Sequence, residues 1–236
     1  MVQLAKPSLL SRERDEEDGG MERKGLKQEA ETETVQLSQA RSATGKVLNP
    51  EWKSMTKSTV KITLDPKTAN PTLKISADGR RVRSITFEES KEKRHAWFQR
   101  APHKYDGWFC IQGTEGFSSG SHYWEVDVRG CSDWRIGVVK ESAPRHGFTK
   151  LTTSSGYWTL RLQLGRLIAL TDPITKLNQP IPRRVGVYLD MEGRQVRFFD
   201  AKQRRHIYTF QADFGNSEKI YPVLGTVDTN REVVIV

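Results

Sequence analysis

Hydrophobic and polar positions alternate with a period of two in the segment 123–128, which reads Y-W-E-V-D-V. Trp124 shares its phase with the two valines, whereas the tyrosine and the two acidic residues occupy the other phase. This is the period of a strand with one buried face. Gly120 and Ser121 supply a turn before it. The pattern therefore predicts a strand that points Trp124 into a hydrophobic core.

The same alternation recurs along the chain in short runs separated by turn residues. The runs W-R-I-G-V-V at 134–139 and Y-W-T-L-R-L at 157–162 are typical, and the runs at 185–190 and 195–200 flank a tight turn. About a dozen such strands, with no helix of convincing length, predict an all-β fold. The expected architecture is an antiparallel two-sheet β-sandwich.

Three tryptophans occupy the buried phase of their predicted strands. They are Trp124, Trp134 and Trp158. A buried indole contributes a large apolar area and one N–H group that needs an acceptor. We therefore expect all three to belong to the structural core rather than to contact a ligand.

Residues 1–58 differ in composition from the rest of the chain. They are rich in Glu, Lys, Ser, Thr and Gln, and Trp52 is their single aromatic residue. A segment of this kind buries too little apolar surface to offset the entropy that folding costs. The sequence therefore predicts a disordered charged linker or arm over 1–58 and a folded domain over 59–236.

The net charge of the chain is +9, and it belongs entirely to the predicted domain. Residues 1–58 carry 10 basic and 10 acidic side chains, so their charges cancel. A basic domain favours anionic partners, such as an acidic protein face, a phosphorylated ligand or nucleic acid. The alternative is that these are ordinary solvated surface charges.

The cysteines and histidines, which could act as catalytic residues or metal ligands, form no catalytic or metal-binding pattern. Cys110 and Cys131 lack a second ligand at zinc spacing. Two reduced thiols predict a cytosolic or nuclear protein, and of these we expect a cytoplasmic location. The five histidines are scattered, and neither a nucleophile elbow nor a phosphate loop is present. No run of apolar residues is long enough to cross a bilayer. We therefore predict no enzymatic activity, no cofactor, no metal and no membrane span in this chain.

Several longer motifs occur in a fixed order after residue 59. They are L-D-P at 64–66, A-N-P-T-L at 69–73, G-F-S-S-G-S-H-Y-W-E-V-D-V at 116–128, W-R-I-G-V-V at 134–139, G-Y-W-T-L at 156–160, V-G-V-Y-L-D-M-E at 185–192 and Y-P-V-L at 221–224. Together they resemble a PRY-SPRY domain, also called B30.2. The PRY part would span about 59–112 and the SPRY part about 113–236.

The resemblance implies a concanavalin-like jelly-roll sandwich that recognises proteins and does not catalyse a reaction. Such domains occur in tripartite-motif ubiquitin ligases and in the cytoplasmic tails of butyrophilins. The chain has two cysteines, too few for the zinc modules of those ligases (RING and B-box). The implied setting is ubiquitin-ligase or innate-immune signalling, with any ligase activity supplied from elsewhere.

The resemblance also implies a ligand groove. Arg135, Arg161 and Gln163 lie on the phase opposite to the core tryptophans, and Asp228 lies in the loop after Y-P-V-L. In the family the matching positions line the groove, and two arginines offer planar forks for carboxylate or phosphate. We expect a protein or acidic peptide ligand.

Three other interpretations of these residues remain open. The first is a butyrophilin-like sensor that binds a phosphorylated or other anionic small molecule. The second is a sheet face that carries solvated arginines and has no ligand. The third is nucleic acid, which we disfavour because single-strand binders need exposed stacking rings, whereas most aromatic residues here fall on the inward phase.

Overall fold

The computed structural model describes residues 45–92, 103–215 and 218–236. Apart from Gly45, the described residues belong to one compact unit, Lys46–Val236. Thirteen strands of the described residues form two antiparallel sheets. The all-β two-sheet sandwich predicted from the alternation is therefore confirmed. None of the described helices has the length and hydrophobicity that crossing a bilayer requires.

The two sheets take their strands from distant parts of the sequence. The seven-stranded sheet has the spatial order β1 (Leu73–Ile75), β2 (Arg81–Ser84), β13 (Val233–Ile235), β4 (Ser121–Asp127), β9 (Arg184–Asp190), β10 (Gln195–Asp200) and β11 (Arg205–Gln211). The six-stranded sheet has the order β3 (Cys110–Gln112), β12 (Ile220–Thr226), β5 (Trp134–Lys140), β6 (Tyr157–Gln163), β7 (Arg166–Ala169) and β8 (Thr175–Leu177).

The main core lies between the sheets. Trp124 of β4 is 1% exposed, Trp134 of β5 is fully buried, and Trp158 of β6 is 2% exposed. All three belong to one cluster with inward-facing aliphatic residues from both sheets. The Trp158 ring also meets Phe214 edge-on, with the ring centres 5.1 Å apart. Each tryptophan faces the core because successive side chains of a strand point to opposite faces of the sheet.

A short helix covers the outer face of the seven-stranded sheet. This helix, α1 (Asn49–Thr56), begins with Pro50 in its first turn, where a missing N–H costs nothing. Its Trp52 ring packs edge-on against Tyr123 and Phe199, with centres 5.8 and 5.7 Å away. A second helix, α2 (Phe87–Glu92), follows β2.

The first helix changes the predicted extent of the arm. The sequence assigned residues 1–58 to a disordered segment, but α1 and Lys46 belong to the folded unit. The composition argument averaged over the segment, whereas the burial of Val47, Trp52 and Met55 anchors it to the sheet. Residues 1–44 lie outside the described part of the chain.

Candidate functional site

Two arginines meet on the outer face of the six-stranded sheet. Arg135 of β5 lies directly opposite Arg161 of β6, and on its other side Arg135 faces Gly225 of β12. Direct cross-strand neighbours on one face have Cβ atoms about 4.5–5.5 Å apart. The register therefore places two positive charges side by side, next to a position that has no side chain.

Gly225 is required by the close approach of β3. A Cβ atom at this position would lie 2.7 Å from the carbonyl oxygen of Phe109 and 3.0 Å from the Cys110 sulfur. A cavity of about 20 Å³ lies beside this glycine, and it holds little more than one water molecule. We call it the arginine cleft; its lining residues are Trp108, Phe109, Cys110, Asp133, Arg135, Arg161, Gly225, Thr226 and Val227.

Arg135 is nearly buried, at 6% exposure. Its guanidinium carbon lies 4.8 Å from the centre of the Trp108 ring, and Nη1 is 3.6 Å from the Cys110 sulfur. Within the described residues it makes no ion pair, and its Nε has no acceptor. A cation–π contact and a weak sulfur acceptor compensate a buried charge only in part.

Arg161 is neutralised, unlike its neighbour. Its Nη2 donates to the Asp133 carboxylate at 3.1 Å, and both side chains are less than one-fifth exposed. Asp133 in turn lies beside Thr226, whose hydroxyl donates to the Asp133 carbonyl at 2.8 Å. The cleft therefore contains two guanidinium groups and one carboxylate, which leaves it with an excess positive charge.

A buried polar network supports the cleft from one side. The Tyr105 hydroxyl accepts a hydrogen bond from the Gln112 amide at 3.0 Å, and Tyr157 donates to the Pro144 carbonyl at 2.7 Å. The two tyrosine hydroxyls are 3.2 Å apart. Burial raises the pKa of Tyr157 to about 12 and raises that of Tyr105 well above its usual value. Burial also raises the pKa of Cys110, so its thiol stays protonated and unreactive at neutral pH.

Exposed apolar side chains surround the mouth of the cleft. Phe109 is 41% exposed and Val227 is 42% exposed, and both line the cavity. Phe148, at 81% exposure, meets the Trp108 ring edge-on with the centres 6.1 Å apart. An apolar rim around a charged centre is typical of a surface that binds another protein.

The structure brings together only part of the predicted ligand set. Arg135 and Arg161 line the cleft, but neither Gln163 nor Asp228 is among its lining residues. Asp228 instead accepts hydrogen bonds from the backbone and hydroxyl of Ser132, at 2.7 and 2.5 Å. It therefore organises the turn before β5. Gln163 lies at the end of β6, opposite Arg166.

Sequence reasoning missed the residues that shape the cleft. Trp108 belongs to the aromatic group at 97–111, and its role as a cover for Arg135 depends on a loop path that has no periodic signal. Asp133 directly precedes β5 and has no motif of its own. Among the described residues no cluster of acidic, histidine or cysteine side chains could hold a metal ion.

Comparison with known protein families agrees with this architecture. The family model described as "SPRY domain" matches residues 121–236, and the one described as "SPRY-associated domain" (PRY) matches residues 62–117. The chain belongs to the PRY-SPRY family. The resemblance drawn from the motifs is confirmed. Domains of this family are typically non-catalytic protein-interaction modules.

Curated relatives fall into the two groups that the motifs suggested. The chain is 40% identical to butyrophilin subfamily 1 member A1 of Bos taurus over 68% of its own length and 29% of the relative. It is 41% identical to the E3 ubiquitin-protein ligase TRIM69 of Rattus norvegicus over 69% of its length and 31% of the relative. The chain therefore spans about three-tenths of these proteins.

Solved structures share the fold at lower sequence identity. The TRIM65 PSpry domain superposes with a TM-score of 0.64 at 20% identity, covering 80% of this chain and 96% of that domain. The stonustoxin structure superposes with a TM-score of 0.62 at 19% identity, covering 78% of this chain and 28% of that chain. These similarities support the sandwich architecture and nothing finer.

Proposed function

We propose that the folded unit is a recognition module whose arginine cleft receives an acidic side chain of a protein partner. The observation that supports this most is the buried guanidinium of Arg135, which has no ion pair within the described residues. Burying an ion costs several kcal/mol even after relaxation of the protein. A carboxylate at the cleft mouth would compensate that charge.

The size of the cavity favours the tip of a side chain over a larger ligand. About 20 Å³ leaves space for one carboxylate oxygen rather than a whole molecule. The exposed Phe109 and Val227 would contact the partner around that anchor. Interfaces often have this organisation, with a charged or aromatic anchor surrounded by contacts that exclude water.

A second candidate is a sensor of a phosphorylated or other anionic small molecule. The unmatched charge of Arg135 and the similarity to a butyrophilin favour it. It requires Trp108 or Val227 to move, because the cavity is smaller than the roughly 300–1,000 Å³ of ordinary small-molecule sites. We therefore favour protein recognition over the sensor function.

The whole-protein activities of the relatives are proposals for this chain. A role in ubiquitin-ligase signalling is supported by similarity to a protein that is named as an E3 ubiquitin-protein ligase. A role in innate immunity and a cytoplasmic location stay predictions from the sequence.

The experiment measures both peptide binding and the free energy of unfolding, and the variant that tests the proposal is Arg135→Gln. The full chain would be used to select peptides from a displayed random library, and the selected peptides titrated against wild type, Arg135→Gln and the exposed control Arg166→Gln. We expect the selected peptides to carry an acidic residue next to apolar ones, and Arg135→Gln to lose binding. The free energy of unfolding of Arg135→Gln should stay within about 1 kcal/mol of wild type or rise, because the charge is uncompensated.

Two results would contradict the proposal. One is selection of peptides without acidic residues; the other is equal binding by wild type and Arg135→Gln. Calorimetric titration with pyrophosphate tests the second candidate. Saturable heat in wild type that is absent in Arg135→Gln would favour the sensor.

A further inference from the structure

A second concave surface lies at one end of the seven-stranded sheet, away from the arginine cleft. It consists of two cavities of about 1020 and 630 Å³ that share Asp127, Arg129 and Arg184. Neither cavity shares a lining residue with the arginine cleft. We call the combined surface the sheet-end groove.

The strand register explains why the groove is basic. Arg81 of β2 faces Val234 of β13, Val234 faces Asp127 of β4, and Asp127 faces Arg184 of β9. These residues form a row across four neighbouring strands. With strands about 4.8 Å apart, the row from Arg81 to Arg184 extends for roughly 14 Å.

Cationic side chains outnumber carboxylates along the groove. Among the described residues, nine arginines and lysines line it against four aspartates and glutamates, which is an excess of five positive side chains. Asp127 is held between Arg129 at 2.9 Å and Arg184 at 3.5 Å. Burial alone would raise the pKa of Asp127, but hydrogen bonds from Arg129 hold it below its usual value. The Asp127 carboxylate is therefore ionised and already paired with these two arginines.

Four cationic residues of the groove form no ion pair with any described residue. Arg80 and Arg231 belong to the larger cavity, and Arg183 and Lys202 to the smaller one. The side chains of Arg183, Lys202 and Arg231 are exposed. Unpaired cations at both ends of a concave surface provide several separate contacts for one elongated anionic ligand.

We propose that the sheet-end groove binds an acidic segment of a protein partner, with its carboxylates on Arg183 and Arg231. The lining favours a peptide over nucleic acid. None of the described residues that line either cavity is aromatic, whereas binding of single strands depends on stacking of bases on such rings. Ile181 and Val236, both about half exposed, supply apolar contacts beside the charges. This surface is separate from the function proposed for the arginine cleft.

The test uses the full chain and a fluorescein-labelled glutamate-rich peptide. Fluorescence anisotropy would be measured for wild type, for the double variant Arg183→Glu/Arg231→Glu and for the matched control Lys150→Glu/Lys219→Glu. The control changes the net charge by the same amount at exposed lysines outside the groove. We expect saturable binding by wild type, a loss of about tenfold or more in the groove variant, and a change within about twofold in the control.

Further measurements separate the alternatives. Thermal melts of both variants should match wild type, because the reversed side chains are exposed and form no ion pair with the part of the chain that the structure describes. Arg183→Glu/Arg231→Glu should lower peptide binding by the same factor in an Arg135→Gln background as in wild type, which distinguishes this surface from the arginine cleft. Equal losses in the two double variants would show a general charge effect and overturn the proposal. Tighter binding of a single-stranded RNA with the same number of charges, lost in the groove variant, would overturn it in favour of nucleic acid.

Discussion

The guanidinium carbon of Arg135 lies 4.8 Å from the centre of the Trp108 ring, so an aromatic face covers a buried positive charge. The indole N–H of Trp108 also donates to the Thr149 carbonyl at 2.8 Å. The ring is therefore fixed to the loop at 146–150 while it shields Arg135. This side chain therefore connects the loop to the cleft.

Two substitutions measure how much the contact of the Trp108 ring with Arg135 contributes to stability. Trp108→Phe and Trp108→Leu both remove the bond to Thr149, but only Phe keeps a ring for Arg135. We expect the free energy of unfolding of the Leu variant to be lower than that of the Phe variant by about 0.5–2 kcal/mol, the size of a cation–π contact. Urea denaturation measures it. Equal values for the two variants would show that the contact contributes nothing.

Trp124→Ala should be one of the most destabilising single changes. The side chain is 1% exposed and lies between the two sheets. Removing a buried tryptophan should lower the free energy of unfolding by roughly 3–5 kcal/mol. Phe87→Ala is the control, because Phe87 is 73% exposed. A urea midpoint of Trp124→Ala that equals that of Phe87→Ala would contradict the core position of Trp124.

Gly225→Ala should disturb the arginine cleft itself. The new methyl group would lie 2.7 Å from the Phe109 carbonyl oxygen, so β3 must move, at a cost of about 1–3 kcal/mol. Gly113→Ala is a graded control on the same strand pair, where the nearest atom is 3.1 Å away in the Pro222 ring. The rate of Cys110 modification by a thiol reagent should rise in Gly225→Ala, and more than in Gly113→Ala. Unchanged protection of Cys110 would mean that β3 stays in place.

The tyrosine pair predicts a loss of stability at alkaline pH. Burial raises the pKa of Tyr157 from its ordinary value of 10 to about 12. The folded state therefore holds this proton more tightly than the unfolded state. The resulting contribution to the free energy of unfolding is fully present below pH 10 and is lost as the pH rises through 12. This difference in pKa corresponds to about 3 kcal/mol of unfolding free energy. Urea denaturation at several pH values should show a smaller decline between pH 10 and 12 in Tyr157→Phe than in wild type, and parallel profiles would rule this out.

The extent of sequence-based prediction is clearest in the arginine cleft. The two-residue period places Arg135 and Arg161 on the outer face, and the family motifs assign that face to binding. The alternation could not show that Trp108 covers Arg135, because the two residues are brought together by the β3–β12–β5 order. The position of Asp228 in its loop predicts a groove residue, and the structure adds that its carboxylate accepts a hydrogen bond from Ser132, 96 residues earlier in the chain.

The boundary between the N-terminal arm and the folded domain shows a different limit of sequence-based prediction. Composition averages over a segment, and residues 46–58 are polar on average. Packing depends on single side chains, and Trp52 lies against Tyr123 and Phe199. Trp52, with the buried Val47 and Met55, thus attaches a helix that the average concealed.

The sequence by itself determined the strands, the inward phase of the three core tryptophans and the family, because alternation and motif order are local properties of the chain. Only the tertiary structure decided which arginine is buried, which carboxylate is already occupied and where the unpaired cations collect. Charge compensation and burial depend on contacts between strands that are far apart in sequence. No local pattern records those contacts.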